Sequence, residues 1–291
     1  MKKITGPSAY LKSAREGVNT RGANGVFFVD SWLHEGKLFV RNRPQDGRVD
    51  EVETIEQRVE PDYLFPLLRG ENTGCFRAEP ASYLLLPHSS SDPANAVAFS
   101  DLPRRTREFL THHKPVLQAR KKFRNFDPST KDWYGLYSVL DATFSANKVV
   151  WREMGSGIIA AAVSKSPLPN GTETTIIPDH KLFIIPCRSS DEADFVAGFL
   201  NSDIANFIVK SYAVSTAIST HILGRIPIPR FQSNDATHRA ISAVAKRIRQ
   251  STKPLTKHEA DLRVLNQQIA TLVGADAAAV AEIRAALDRQ Q

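Results

Sequence analysis

The sequence predicts an α+β fold, a mixed and mostly antiparallel sheet with packed helices and a C-terminal helical segment. Three observations predict it. Short apolar, β-branched runs recur between Val26 and Pro186, with Gly, Pro, Asn or Asp separating them. Phe195, Val196, Phe199 and Leu200 then take helical spacing, and the helix they describe ends at Leu200-Asn201-Ser202. Beyond Phe231 the helical spacing continues, with Ile241, Val244, Ala245 and Ile248 in one segment, Leu262, Leu265 and Ile269 in the next, and Val280, Ile283 and Leu287 in the last. The division expected is an α+β domain over 1–233 and a helical segment over 234–291 that packs on that domain or on a partner.

Residues 1–25 are small and polar, with Gly17, Gly22 and Gly25 around Thr20-Arg21, and read as a flexible entry loop. Strands are expected over Val26–Trp32, Lys37–Arg41 and Val49–Val59, the first two joined as a hairpin at His34-Glu35-Gly36. The loop before the third strand carries Arg43 and Arg48 among turn residues. Tyr63 to Asn72 reads as an apolar turn that leads out through Arg69-Gly70, and Tyr83–His88 as a strand buried on both faces. From Leu102 to Asn125 two helical turns of core, Phe109-Leu110 and Val116-Leu117, are broken at Pro115. Lys or Arg at 104, 105, 107, 114, 120, 121, 122 and 124 makes this the most basic region.

Lys148–Met154 and Ile158–Val163 read as strands joined at Gly155-Ser156-Gly157. Thr172–Ile177 and Lys181–Pro186 read as a second pair, joined by Pro178-Asp179-His180. After Ser202 an apolar segment, Ile204 to Tyr212, delivers a hydroxyl-rich loop from Ser215 to His221. The exit Ile226-Pro227-Ile228-Pro229-Arg230-Phe231 is strand-like, and its alternating prolines remove backbone donors, so it is placed at a sheet edge. Asp276 stands where the last helix needs its N-cap.

The 291 residues, 42% hydrophobic and 24% charged, have the composition of a soluble globular protein with a real core. No apolar run reaches the roughly 20 residues of a membrane span, and the N-terminus lacks the apolar stretch of a signal peptide. Cys75 and Cys187 stand apart without CxxC or histidine spacing, so zinc and disulfides are not expected and a cytoplasmic setting is. The net charge of +7 suits a nucleic-acid partner.

Five stretches, in order, carry a resemblance: GVNTRGANGVFFV, Leu67-Leu68-Arg69-Gly70-Glu71-Asn72 ahead of an apolar strand, Trp133-Tyr134-Gly135-Leu136 after a basic helix, the strand with Arg152 followed by Asp179-His180-Lys181, and Leu200-Asn201-Ser202 with its Ser/Thr loop and Ile-Pro-Ile-Pro exit. Together they resemble the target-recognition domains of adenine-specific DNA methyltransferases. Such domains belong to the Type II restriction–modification enzymes that fuse methylation with cleavage, and more loosely to Type I specificity subunits. The resemblance spans roughly 17–231, and departs at Glu71, where many members carry a second basic residue.

It implies a chain that recognises double-stranded DNA for a methyltransferase catalytic domain or subunit, within a system of phage defence. S-adenosylmethionine is expected in that partner, and no cofactor in this chain. There is no Pro-Pro pair for an adenine-holding loop, no GxGxxG or GxxxxGK[ST], and no Asp…Glu-x-Lys nuclease cluster. No catalytic residue and no metal ligand is assigned; His112-His113 and Asp179-His180 read as structural or surface pairs. The DNA contacts expected are Arg69, Lys121, Lys122, Arg124, Arg152, Thr216, Ser219, Thr220 and His221. The basic face around Arg120–Arg124 is to grip phosphates, while Arg, Asn and hydroxyl side chains enter the major groove. Two other readings stay open: an enzyme with unrecognised catalytic groups, and a protein–protein interaction module docking through the helical tail.

Overall fold

The computed structural model describes residues 4–48, 52–120, 132–212 and 217–289. The chain is α+β, with twelve strands and nine α-helices among the described residues. In chain order they are β1 (Arg15–Glu16), α1 (Asn24–Phe27), β2 (Phe28–His34), β3 (Lys37–Asn42), β4 (Glu56–Arg58), β5 (Leu64–Leu68), β6 (Ser82–Leu85), α2 (Arg104–His112), α3 (Lys114–Gln118), α4 (Asp141–Phe144), β7 (Asn147–Arg152), β8 (Ala160–Val163), β9 (Lys165–Pro167), β10 (Glu173–Thr175), β11 (Ile177–Pro178), β12 (Leu182–Cys187), α5 (Ser190–Leu200), α6 (Asp203–Tyr212), α7 (Ala236–Gln250), α8 (Glu259–Val273) and α9 (Ala277–Asp288).

Two sheets organise them. The larger runs β11-β5-β6-β2-β3-β4, antiparallel throughout except for the parallel pair β11 and β5. Glu35 and Gly36, at φ +49° and +71°, form the turn between β2 and β3. α2 and α3 supply Phe109, Leu110 and Leu117 to this sheet's core, and Pro115 opens α3 instead of kinking one long helix. The smaller sheet, β1-β12-β7-β8, is antiparallel and has its own core with α5 to α9. Alternation along β7 sends Val149 and Trp151 into that core, and Val150 into a third, small cluster with Leu68, Ala161 and Leu182 between the sheets.

The Leu-Asn-Ser end of α5 has a physical reason. Asn201 accepts the N–H of Ala160 at 3.1 Å and donates back to its carbonyl at 2.7 Å, which stitches the helix end to β8. Gly198 sits where α5 meets the next layer: a Cβ there would stand 3.2 Å from Ala245 of α7 and 3.3 Å from Leu265 of α8. Arg249 of α7 reaches Asp194 of α5 with two bonds, 2.7 and 2.9 Å. Ile241, Val244, Ala245, Ile248, Leu265 and Ile269 are all buried, so α7 and α8 turn their apolar stripes inward. An interaction module docking through those stripes has no open face to use. Asp276 caps α9 by accepting the N–H of Ala279 at 2.8 Å.

Several expectations are corrected. The entry segment is not loose: Ile4, Tyr10 and Ala14 are buried in the second core, and β1 extends the smaller sheet. Tyr63 to Asn72 contains a strand, β5; of the strand expected over Val49–Val59, residues 49–51 lie outside the described residues, and among the rest only Glu56–Arg58 pairs. Thr172–Ile177 and Lys181–Pro186 do not form a hairpin. β10 turns back on β9, β11 joins the larger sheet, and β12 enters the smaller one. The Ile-Pro-Ile-Pro exit joins no ladder, since Pro227 and Pro229 cannot donate; it lies against residues 6–9 through Gly6 N to Arg225 O and Ala9 N to Ile228 O, while Ile226 and Ile228 are buried.

Candidate nucleic-acid interface

The entry loop crosses the junction of the two sheets. Val18 donates its N–H to Pro178 O at 2.9 Å, and Asn19 and Tyr137 exchange backbone bonds of 2.9 Å. Gly17 permits the crossing, because a Cβ there would lie 2.1 Å from the carbonyl oxygen of Asp179. Arg21 follows at φ +54°, with its N–H held by Asn19 Oδ1 at 2.8 Å and its guanidinium 4.3 Å over the Tyr137 ring. Arg48 joins the same loop by donating its N–H to Gly22 O at 3.0 Å.

Lys181 approaches from the other sheet. Asp179 Oδ1 accepts its N–H at 2.9 Å, and its ammonium lies 2.8 Å from Glu153 Oε2. Between these groups stands His180, half-buried, whose pKa is pushed down by burial first and then by Lys181, Arg48 and Arg21, with Glu153 opposing. Burial pushes Asp179 up to about 6, against the pull of Arg69 and Lys181. Burial also raises Glu16, with Glu153 adding to it and Arg21 opposing. Arg21, Arg48, His180 and Lys181 thus form a basic cluster assembled from three separate parts of the chain.

The hydroxyl-bearing segment reaches the same place. Ala217 bridges to Met154, Ile218 donates to Glu153 O at 2.6 Å, and Trp151 Nε1 donates to Ile218 O at 3.0 Å. Glu153 therefore holds Lys181 with its side chain and the 217–221 segment with its backbone. Ser219 and Thr220 are half-buried and His221 is exposed, at the start of a short 3₁₀ turn. Met154 beside them is 51% exposed, an apolar side chain in a polar neighbourhood.

The other expected contacts distribute differently. Arg152 ends β7, half-buried, and its Nε has no hydrogen-bond partner among the described residues. Arg69 ion-pairs with Asp46 at 3.3 Å and Glu71 at 3.2 Å, and lies over the Phe28 ring. Lys121, Lys122, Arg124 and Thr216 lie outside the described residues. Arg120, expected at the start of a phosphate-gripping face, is turned inward and only 2% exposed. It donates to the carbonyls of Leu117, Thr20, Gly135 and Trp133, tying the Arg21 loop to the Trp133 loop, and burial pulls its pKa down to about 10. Arg104 and Arg105 of α2 share the single carboxylate of Glu108, so that helix face keeps a net positive charge.

Arg21, His180 and Lys181 belong to the basic cluster but not to the contacts expected from the sequence. Arg21 stands among glycines read as an entry loop, and His180 stands in a pair read as structural or surface. Their signal was weak because they meet only through the crossing at Gly17. Among the described residues no group of three or more His, Cys, Asp or Glu is placed to hold a metal ion, and no helix is long and apolar enough to cross a membrane.

No family model and no curated protein matches the chain. Among solved structures, it superposes on the Type IIL restriction–modification enzyme MmeI, solved in complex with DNA, with a TM-score of 0.51 and 12% identity over 93% of this chain. The fold is one that a restriction–modification enzyme carries. The chain spans 33% of the length of MmeI. A second match, the Type IIG restriction endonuclease BpuSI, has a TM-score of 0.39 and 12% identity over 73% of this chain and 26% of that one.

Proposed function

We propose that this chain is a DNA target-recognition domain of a restriction–modification system, and that it directs a methyltransferase catalytic domain or subunit to adenines within a chosen sequence. S-adenosylmethionine and the methyl transfer belong to that partner. The observation that carries the reading is the gathering of Arg21, Arg48 and Lys181 about His180, with Glu153 pairing Lys181 through its carboxylate and bonding Ile218, just ahead of Ser219–His221, through its carbonyl. Cations there neutralise phosphates without regard to sequence, while hydroxyl and imidazole groups on an adjacent segment supply hydrogen bonds to base edges. Likeness to MmeI, a DNA-bound enzyme, supports the choice of duplex DNA as partner.

The test is a fluorescence-anisotropy titration of a random-sequence duplex across salt. Wild type should lose affinity steeply between about 50 and 200 mM salt, and Arg21→Ala, Arg48→Ala and Lys181→Ala should each flatten the log–log slope by about one. A salt-independent affinity, or slopes untouched by all three substitutions, overturns the reading. Selection from a randomised duplex pool then separates Ser219→Ala and Thr220→Ala, which should alter sequence preference, from the three cation variants, which should not.

A further inference from the structure

The register of β2 with β3 places Trp32 opposite Phe39 and His34 opposite Lys37 on one face of the larger sheet, and β4 adds Arg58 opposite Phe39. The Trp32 and Phe39 rings are nearly parallel, 22° apart with centroids 6.2 Å apart, and His34 meets Phe39 edge-on at 5.7 Å. Neither Trp32 nor Phe39 belongs to any hydrophobic core, and both remain half-exposed. A half-buried tryptophan stacked on the outside of a hairpin, against Phe39 and outside every core, is a surface that a partner fills.

The charges around it select the partner. On this face Asp30 is held by Arg41 and Arg43, and Glu56 by Arg41, so both carboxylates of the strands are already neutralised. Lys37 and Arg58 are exposed and make no ion pair among the described residues. Glu35 is the remaining carboxylate of the hairpin, at the turn beyond the rings. Aromatic rings with unpaired cations beside them match the alternation of bases and phosphates along an unpaired strand. The face is also continuous with the junction, because ion pairs run inward from Asp30 to Arg43, Arg43 to Asp46, and Asp46 to Arg69.

We propose that the outer face of β2, β3 and β4 is a stacking surface for unpaired bases of a DNA strand, with Trp32 and Phe39 as the platform and Lys37 and Arg58 on its phosphates. The choice of DNA over another polyanion rests on the function proposed above.

Trp32 reports on itself in a Trp133→Phe background, where the other tryptophan, Trp151, is fully buried. A short single-stranded oligodeoxynucleotide should quench its emission, and an abasic oligonucleotide of equal length should not. Phe39→Leu, which keeps an apolar side chain but removes the ring, should weaken single-strand binding by about tenfold while leaving duplex affinity unchanged. Arg58→Gln should weaken it less and reduce its salt dependence. Equal quenching by the abasic strand, or none by either, overturns the proposal, and a protein partner becomes the occupant of the patch. Duplex binding intact with no single-strand quenching sinks this inference alone; single-strand quenching without duplex binding sinks the target-recognition reading and leaves this surface standing.

Discussion

Lys148 is the residue whose placement costs most. It is fully buried with no carboxylate beside it, and its ammonium is met only by oxygens: Thr143 O at 2.5 Å, Ile176 O at 2.8 Å and Thr175 Oγ1 at 3.3 Å. Three acceptors match the three protons of an ammonium, but burial still pulls its pKa down to about 7. The folded value lies below the unfolded one, so between them the unfolded chain holds the proton and the folded chain does not. Stability should therefore rise from pH 7 to pH 9, by about 2 kcal/mol from this group, with the burial penalty fully present below pH 7. Urea denaturation of wild type beside Lys148→Met reads this directly: the pH-dependent gain should vanish in the variant. Equal gains in both proteins would place the charge elsewhere.

At the scale of elements, the loops at the sheet junction are held by Gly17 and Arg120 and not by apolar packing. Gly17→Ala forces its methyl into the carbonyl of Asp179, so the crossing must move, and with it Arg21. The expected result is a duplex affinity as weak as that of Arg21→Ala, with far-UV circular dichroism unchanged. Arg120→Met leaves buried carbonyls without a donor and should cost about 3 kcal/mol in denaturant unfolding. His180 gives the element a pH response. Its pKa is depressed by burial and by Lys181, and a bound phosphate would raise it, so duplex binding should take up a proton and tighten as pH falls. His180→Gln should remove that tightening.

These elements also show what the sequence made legible. The β2–β3 hairpin follows from Glu35-Gly36 between alternating strands, and α9 begins at the aspartate that caps it, because both depend on neighbours in the chain. Arg120 could not be read: its acceptors at Thr20 and Gly135 lie 100 and 15 residues away, and nothing local separates an inward arginine from a surface one. The split of residues 172–187 among three ladders was hidden for the same reason. Pro178-Asp179 looks like a hairpin turn, and only the partner strand β5 makes it a crossover. At the candidate interface, the Ser219–His221 segment was legible from composition, whereas Arg21, His180 and Lys181 become a cluster only in three dimensions.

On the scale of the whole molecule, two cores share a narrow seam. Leu68, Val150, Ala161 and Leu182 pack between the sheets, and Val18, just past β1, adds a backbone bond across it to Pro178 of β11. Val150→Ala should cost about 1–3 kcal/mol and weaken both sides together. Trp151 reports the second core and Trp133 the first, so single-tryptophan backgrounds should show both denaturation midpoints falling in step. A shift of one alone would mean that the seam carries no coupling, and that the cations gathered there are aligned by the loops only.

The burial of Ile4, Tyr10 and Ala14 among helices from the far end of the chain bears on how the protein is made. Nearly all of the first core is supplied between Val18 and Val139, with Leu168 and Ile177 the later additions, so it can begin to condense while synthesis continues. The second cannot close until Ile283 has emerged, although it needs Ile4, Tyr10 and Ala14, which are made ahead of the whole first core. Those three side chains must wait, unsheltered, until α5 to α9 are made. Long-range closure of this kind is slow, so a chain caught before α9 has docked would carry a finished first core and an exposed apolar strap, the form a chaperone or protease meets.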